Sequence, residues 1–258
     1  MSEQDPALTA EEPTSPMMRS DDAHAGSHEP EVVRVQESEV EVEAPAAHSQ
    51  GVDRAHSQGV DGEEFEEAAE PVVELDPETR ARRDAALRHV RKFGDPVLRA
   101  SALPVDRFDD VLKAEVERMG ELMHDALGIG LAATQVGVLH RVLVYRAYTD
   151  DPLTALINPV LEWRSDEQEV AEEGCLSLPG VHVEVERSAE VRVRARDTRG
   201  KEIVVEASGL EARVIQHEVD HLDGVLILDR ISRAARKEAM RALREAQESA
   251  EDRSANAA

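Results

Sequence analysis

The stretch Gln216-His217-Glu218-Val219-Asp220-His221-Leu222 places two histidines four residues apart. At 3.6 residues per helical turn, positions i and i+4 share a face, so both imidazoles can reach one metal ion. Glu218 lies between them, close enough to act on water held at that metal without being a ligand. The helix itself is readable from Gly209 to Gly224. Leu210, Val214, His217, His221 and Leu222 fall near one face, Ser208 precedes as an N-cap with Glu211 three residues on, and Gly224 stops it. A surface helix can carry such a five-residue pattern by accident, so the reading needs a third ligand from elsewhere in the chain.

Working outward, composition narrows the classes. The 258 residues include 55 acidic and 30 basic ones, a net charge of −25, which argues against a surface that grips DNA or other nucleic acid. Aromatic residues make up 2%, so a core must be built from Val, Leu, Ile and Ala. The one cysteine, Cys175, permits no intrachain disulfide and suits a reducing compartment. No run of 18 apolar residues exists, so no membrane-spanning helix is expected. The acidic start lacks the apolar run of a secretory signal, and a cytoplasmic location is the expectation.

Residues 1–80 hold 22 of the acids and only 4 arginines, and they contain a tandem repeat, Ala47-His-Ser-Gln-Gly-Val-Asp53 and Ala55-His-Ser-Gln-Gly-Val-Asp61. With little apolar periodicity, this segment reads as a disordered acidic extension. Its scattered histidines (His24, His28, His48, His56) are better read as part of a solvated tail than as a metal tract. The remainder divides into a catalytic domain over 81–235 and a C-terminal helix with polar tail over 236–258. Helices are expected from Pro77 to Arg91 and from Asp109 to Leu127, the latter with Val111, Leu112, Val116, Met119, Leu122, Met123 and Leu127 at helical spacing.

Strands are expected over Arg141–Tyr145, over Leu153–Val160 with a break at Pro159, and over Val170–Leu178 up to a turn at Pro179-Gly180. His182–Glu186 alternates apolar and charged residues. Val191–Ala195 and Glu202–Val205 flank Asp197-Thr-Arg-Gly200 as a hairpin. Val225–Leu228 is a short buried segment, and a charged helix runs from Ser232 to Gln247. The fold class is therefore α+β: mostly antiparallel sheets packed around the metal helix, with helices before and after.

Two stretches complete a candidate site. Gly128-Ile-Gly130-Leu-Ala-Ala-Thr-Gln135 lets backbone approach something closely and ends on a neutral amide donor. It lacks the third glycine of a dinucleotide loop and the lysine of a phosphate loop. Glu172-Glu-Gly-Cys175-Leu-Ser-Leu-Pro179 holds the lone thiol. A solitary cysteine is usually a small buried hydrophobe. Beside a two-histidine helix it becomes the third ligand, and Cys, His, His leaves one position open, as catalysis requires; on ligand chemistry alone zinc is the first choice.

These stretches together resemble peptide deformylases. Gly128–Gln135, Glu173-Gly-Cys-Leu-Ser177 and Gln216–Leu222 look like that family's three signature motifs, in order, and Gly94-Asp-Pro-Val-Leu98 and Gly224–Arg230 are similar to it as well. The resemblance covers about residues 85–235. It implies removal of the formyl group from formyl-methionine of nascent polypeptides, with release of formate. Cys175, His217 and His221 would hold one divalent metal ion, Fe2+ first, with Ni2+, Co2+ or Zn2+ able to substitute. Glu218 would serve as general base and acid, while Gln135, the Leu176 backbone N–H and the Gly130 loop would serve the oxyanion. His182, seven residues after the cysteine, departs from the arginine often found there in relatives. The basic residues Arg233, Arg236, Lys237, Arg241 and Arg244 of the last helix suggest a ribosome contact or a solvated face. A zinc metallopeptidase using the same helix is the alternative reading.

Overall fold

The computed structural model describes residues 31–34 and 75–256. Among these residues four α-helices and eight strands follow in the order β1 (Glu31–Arg34), α1 (Pro77–Leu87), α2 (Asp110–Asp125), β2 (Gly130–Ala132), β3 (Val142–Tyr145), β4 (Thr154–Arg164), β5 (Gln168–Cys175), β6 (Leu178–Ser188), β7 (Glu190–Arg196), β8 (Glu202–Ser208), α3 (Gly209–Leu222) and α4 (Arg233–Asn256). The fold is α+β. Strands β1-β8-β7-β4-β3-β2 form one sheet, antiparallel except at the β1 edge, and β5-β6 form a separate antiparallel hairpin.

The β7-β8 hairpin shows how sequence becomes register. Along β7 the residues alternate exposed and buried, so Val191, Val193 and Ala195 face inward. Asp197 closes the turn by accepting from the backbone N–H groups of Arg199 (2.8 Å) and Lys201 (2.9 Å), and Gly200 takes the left-handed φ of 82° there. The inward side chains meet Ala212, Ile215, Val219 and Leu222 of α3 in one core cluster. A second cluster packs α2, through Leu112, Val116, Met119 and Met123, on Leu131, Val142, Val144 and Ile157. A third joins β6 to α4 through Val181, Val183, Val185, Ala239 and Leu243. Helix α3 touches β2, β3, β6, β7 and β8, which makes it the centre of the molecule.

Several boundaries differ from the sequence reading, each for a local reason. Helix α1 stops at Leu87, short of Arg91. Val111 is 72% exposed while Leu112 beside it is 3% exposed, so Val111 lies on the outer side of the first turn of α2. Pro159 does not end β4: a register shift at Asn158, whose φ is 55°, absorbs it, and the Asn158 side chain exchanges two 2.8 Å bonds with the Val105 backbone. Pro179-Gly180 is no turn either. The hairpin reverses at Leu176-Ser177, and Gly180, at φ 73°, bends β6 without ending it. Ser208 stays extended and makes no cap bond, while Glu211 accepts from the Tyr145 hydroxyl at 2.7 Å.

The expected disorder over 1–80 falls mostly outside the described residues. Of that stretch residues 31–34 and 75–80 are described: Glu31–Arg34 pairs in parallel with Ile203–Glu206 of β8, and α1 begins at Pro77. The expected division at 235/236 falls inside the continuous helix α4. Among the described residues no helix is long and apolar enough to cross a membrane.

Candidate metal centre

Helix α3 is pinned by its polar side chains as well as its apolar ones. Gln216 donates to Ser188 O (2.9 Å) and accepts from Ser188 N–H (3.3 Å); Arg213 donates to Val185 O and Glu169 O, both at 2.8 Å. Thr134 Oγ1 donates to His221 O at 3.1 Å, tying the far end of the helix to the glycine loop. These bonds fix the rotation of α3 so that His217 and Glu218 look into a cleft of about 410 Å3 between the glycine loop, the β5-β6 hairpin and α1.

The hairpin delivers the thiol. Cys175, the last residue of β5, sits 3.3 Å from His221 Nε2, and the ligand atoms of Cys175, His217 and His221 all lie within 4.8 Å of one another. Burial alone would raise the Cys175 thiol, but the imidazoles of His221 and His217 outweigh it and hold the thiol well below its ordinary range. His217 shows the converse. Burial would lower it, yet its bonds to Cys175 and Glu173 push it well above the usual histidine range. A thiolate and two imidazoles converging on one point suit a divalent transition metal, and the set leaves a coordination position free.

The imidazole of His217 is oriented from behind. Its Nδ1–H donates to Glu173 Oε2 at 2.9 Å, which turns Nε2 toward the thiol. Glu173 in turn accepts from Arg187 Nε and Nη2 (2.9 and 3.0 Å) and from Arg213 Nη1 (2.9 Å). Burial would raise Glu173, but His217 and Arg187 hold its carboxyl down at about 2. Arg187 also donates to Asp220 at 2.5 Å, and Asp220 is further bonded by Arg230. The sequence reading quotes Glu173 and Asp220 inside motifs without giving them a role, and Arg187 and Arg213 are not singled out in it.

The remaining expected residues also converge on the cleft. Gln135 is 1% exposed; its Oε1 accepts from Ala132 N–H at 2.9 Å, which directs Nε2 toward Cys175 Sγ (3.7 Å) and Ser177 Oγ (3.3 Å). Leu176 lines the cleft, and its carbonyl accepts from Lys92 Nζ at 2.9 Å. Gly130 has no side chain where one would collide with Glu218: an added Cβ would lie 2.9 Å from Glu218 Cδ. The Glu218 carboxyl is buried, its Oε2 has no hydrogen-bond partner among the described residues, and burial raises its pKa above the ordinary carboxylate value. His182 lines the same cleft at its exposed side, paired with Glu172 at 3.4 Å.

A family model for polypeptide deformylase matches residues 87–237. The chain belongs to the polypeptide deformylase family. Enzymes of this family are metal-dependent and remove the formyl group from N-formylmethionine. The peptide deformylase of Thermotoga maritima is 52% identical over 147 residues, spanning 57% of this chain and 88% of the relative. Peptide deformylase 1 of Corynebacterium glutamicum is 47% identical over 161 residues, spanning 62% and 95%. Among solved structures, that of the Thermotoga maritima enzyme superposes with a TM-score of 0.54 at 51% identity, covering 55% of this chain and 96% of that one. A deformylase from Synechococcus elongatus in complex with actinonin gives 0.57 at 42% identity, covering 58% and 84%. The metallopeptidase alternative is not favoured: the residue that joins the two histidines is a cysteine from β5, and the family match spans all three motifs.

Proposed function

We propose that this deformylase hydrolyses the formamide bond of N-formylmethionyl ends of nascent polypeptides with Glu218 as the proton carrier and Cys175, His217 and His221 as the metal ligands. The observation that carries the proposal is the closed triangle of thiol and two imidazoles with the buried Glu218 carboxyl beside it. A divalent cation bound there supplies Lewis acidity and makes water acidic enough to react near neutral pH. Ferrous iron is the ion we favour, on the family resemblance; nickel, cobalt and zinc accept the same donors.

The chain's own residues divide the rest of the work. Glu218 draws a proton from the attacking water and delivers it to the departing amine; a carboxyl raised toward neutral pH by burial suits both directions. Gln135, locked by the Ala132 N–H, offers its amide to the formyl oxygen, and the Leu176 N–H is the second donor. Losing one such donor costs on the order of 10²–10³ in rate. Gly130 leaves Glu218 room to lie against the loop, and the narrow approach admits a formyl carbon, which bears only hydrogen. On α4, Arg236 bonds Asp229, Arg241 bonds Glu245, and Ala239 and Leu243 are buried against β6.

The test is formate release from formyl-Met-Ala-Ser by anaerobically prepared protein and its Glu218→Gln variant, with metal content measured on both. The variant is expected to lose roughly 10²–10⁴ in kcat at unchanged metal content. Retained turnover overturns the role given to Glu218, and loss of the metal with the activity overturns its separation from the ligands.

A further inference from the structure

Helix α1 runs up to the first residue of the stretch that the family model matches, yet it reaches the cleft. Asp76 caps its start by accepting from Glu78 N–H and Thr79 N–H, Ala86 is buried beneath it, and Arg82 pairs with Asp125 of α2 at 3.6 Å. With that face committed, Arg83 and Leu87, four residues apart, line the mouth of the active-site cleft together with Leu176.

The other charges lining the cleft are already engaged. Glu173 bonds Arg213 and His217, Glu172 lies against His182, and Glu218 belongs to the centre itself. Arg83 is different: half-buried, it has no ion pair or hydrogen bond among the described residues. Nearby stands Lys92, another cation: burial lowers its ammonium, the Cys175 charge raises it and the Arg83 charge lowers it. An unpaired guanidinium at a concave entrance, next to a second cation, presents five donors in a fork that matches a carboxylate.

We propose that Arg83 is a specificity-determining residue, favouring formyl-methionyl peptides with aspartate or glutamate at the second or third position. This rests on the deformylase reading above. A substrate whose formyl group is at the metal centre must lead its following residues out through the cleft mouth, where Arg83 stands. A carboxylate there gains a bidentate partner and a lysine meets repulsion. For a partly exposed pair the gain is roughly fivefold in kcat/KM and is screened by salt.

The experiment compares formyl-Met-Xaa-Ala-Ala-amide and formyl-Met-Ala-Xaa-Ala-amide, with Xaa as Asp, Asn or Lys, on the metal-loaded full chain and its Arg83→Gln and Arg83→Lys variants. At one of the two positions the Asp-to-Lys ratio of kcat/KM should fall at least fivefold in Arg83→Gln, through KM, and recover in Arg83→Lys. In the unaltered chain the ratio should shrink at high ionic strength. Turnover with the same ratio in the unaltered chain and Arg83→Gln at both positions overturns the proposal alone. No formate from any peptide with the unaltered chain overturns the deformylase reading and this proposal with it.

Discussion

On the face of the large sheet turned away from α3, Arg194 meets Glu162 at 2.5 Å and Arg192 meets Glu206 at 2.5 Å. Behind α3, Arg187 meets Glu173 at 2.9 Å and Asp220 at 2.5 Å. The chemistry and the distances match, but the surroundings do not. The Arg194 and Glu162 side chains are 44% and 36% exposed, whereas those of Arg187 and Glu173 are both 5% exposed. Outside, water competes for each charge and the pair adds little. Inside, each ion has given up its water, so every partner must be present; Glu173 has three, two arginines and the His217 imidazole. The buried set does not by that fact stabilise more than apolar packing would. What it does is set His217 in one orientation.

The largest test removes the shared arginine. In Arg187→Met, Glu173 keeps Arg213 and Asp220 keeps Arg230, but two buried carboxylates lose their common counter-ion. The expected cost is about 3–5 kcal/mol, or roughly 10 °C in the midpoint for a domain of this size. Thermal unfolding of the metal-loaded protein measures it. A loss under about 1 kcal/mol would mean that the inner network behaves like the outer pairs, against the estimate for breaking a buried ion pair.

Next in size is Glu173→Gln, which keeps the shape and removes the charge. An amide oxygen can still accept from His217 Nδ1–H, but it neither raises the basicity of the imidazole nor neutralises Arg187 and Arg213. Metal affinity should fall about 10- to 100-fold, as for other partners of metal-bound histidines. Competition with a chelator reads the affinity directly. Unchanged affinity would show that His217 is held by the packing of α3 and not through Glu173.

The sequence signals that were legible are those with a period or a motif. The i, i+4 histidines, the alternation in β7 and the Asp197–Gly200 turn each express a local rule, and the structure keeps all three. The inner ion network joins β5, β6 and α3, so no local rule reaches it. It left one trace: in β6 the buried residues Val181, Val183 and Val185 recur every second position, and Arg187 is next in that phase. An arginine in the apolar phase of a strand is a sign of a buried partner. The continuation of β4 past Pro159 and of β6 past Gly180 depends on a bulge at Asn158 and a left-handed glycine, geometry that a residue-by-residue reading takes for an ending. The pairing of Glu31–Arg34 with β8 spans more than 160 residues of chain, a separation that no local rule reaches.

The smallest expected effect is Arg194→Ala, and it matters because it fixes the other end of the scale. Arg194 lies on the exposed phase of β7, so the substitution opens no cavity, and the Glu162 left behind is solvated on the sheet surface. The loss should be under about 1 kcal/mol at low salt and should shrink as the Debye length shortens toward about 3 Å at 1 M. Unfolding in denaturant at both ionic strengths measures it. A loss above about 2 kcal/mol, or one indifferent to salt, would mean that the Arg194 aliphatic stem contributes by covering apolar sheet surface. The outer face would then be held by packing as the inner one is by charge, and exposure alone would not separate the two regions.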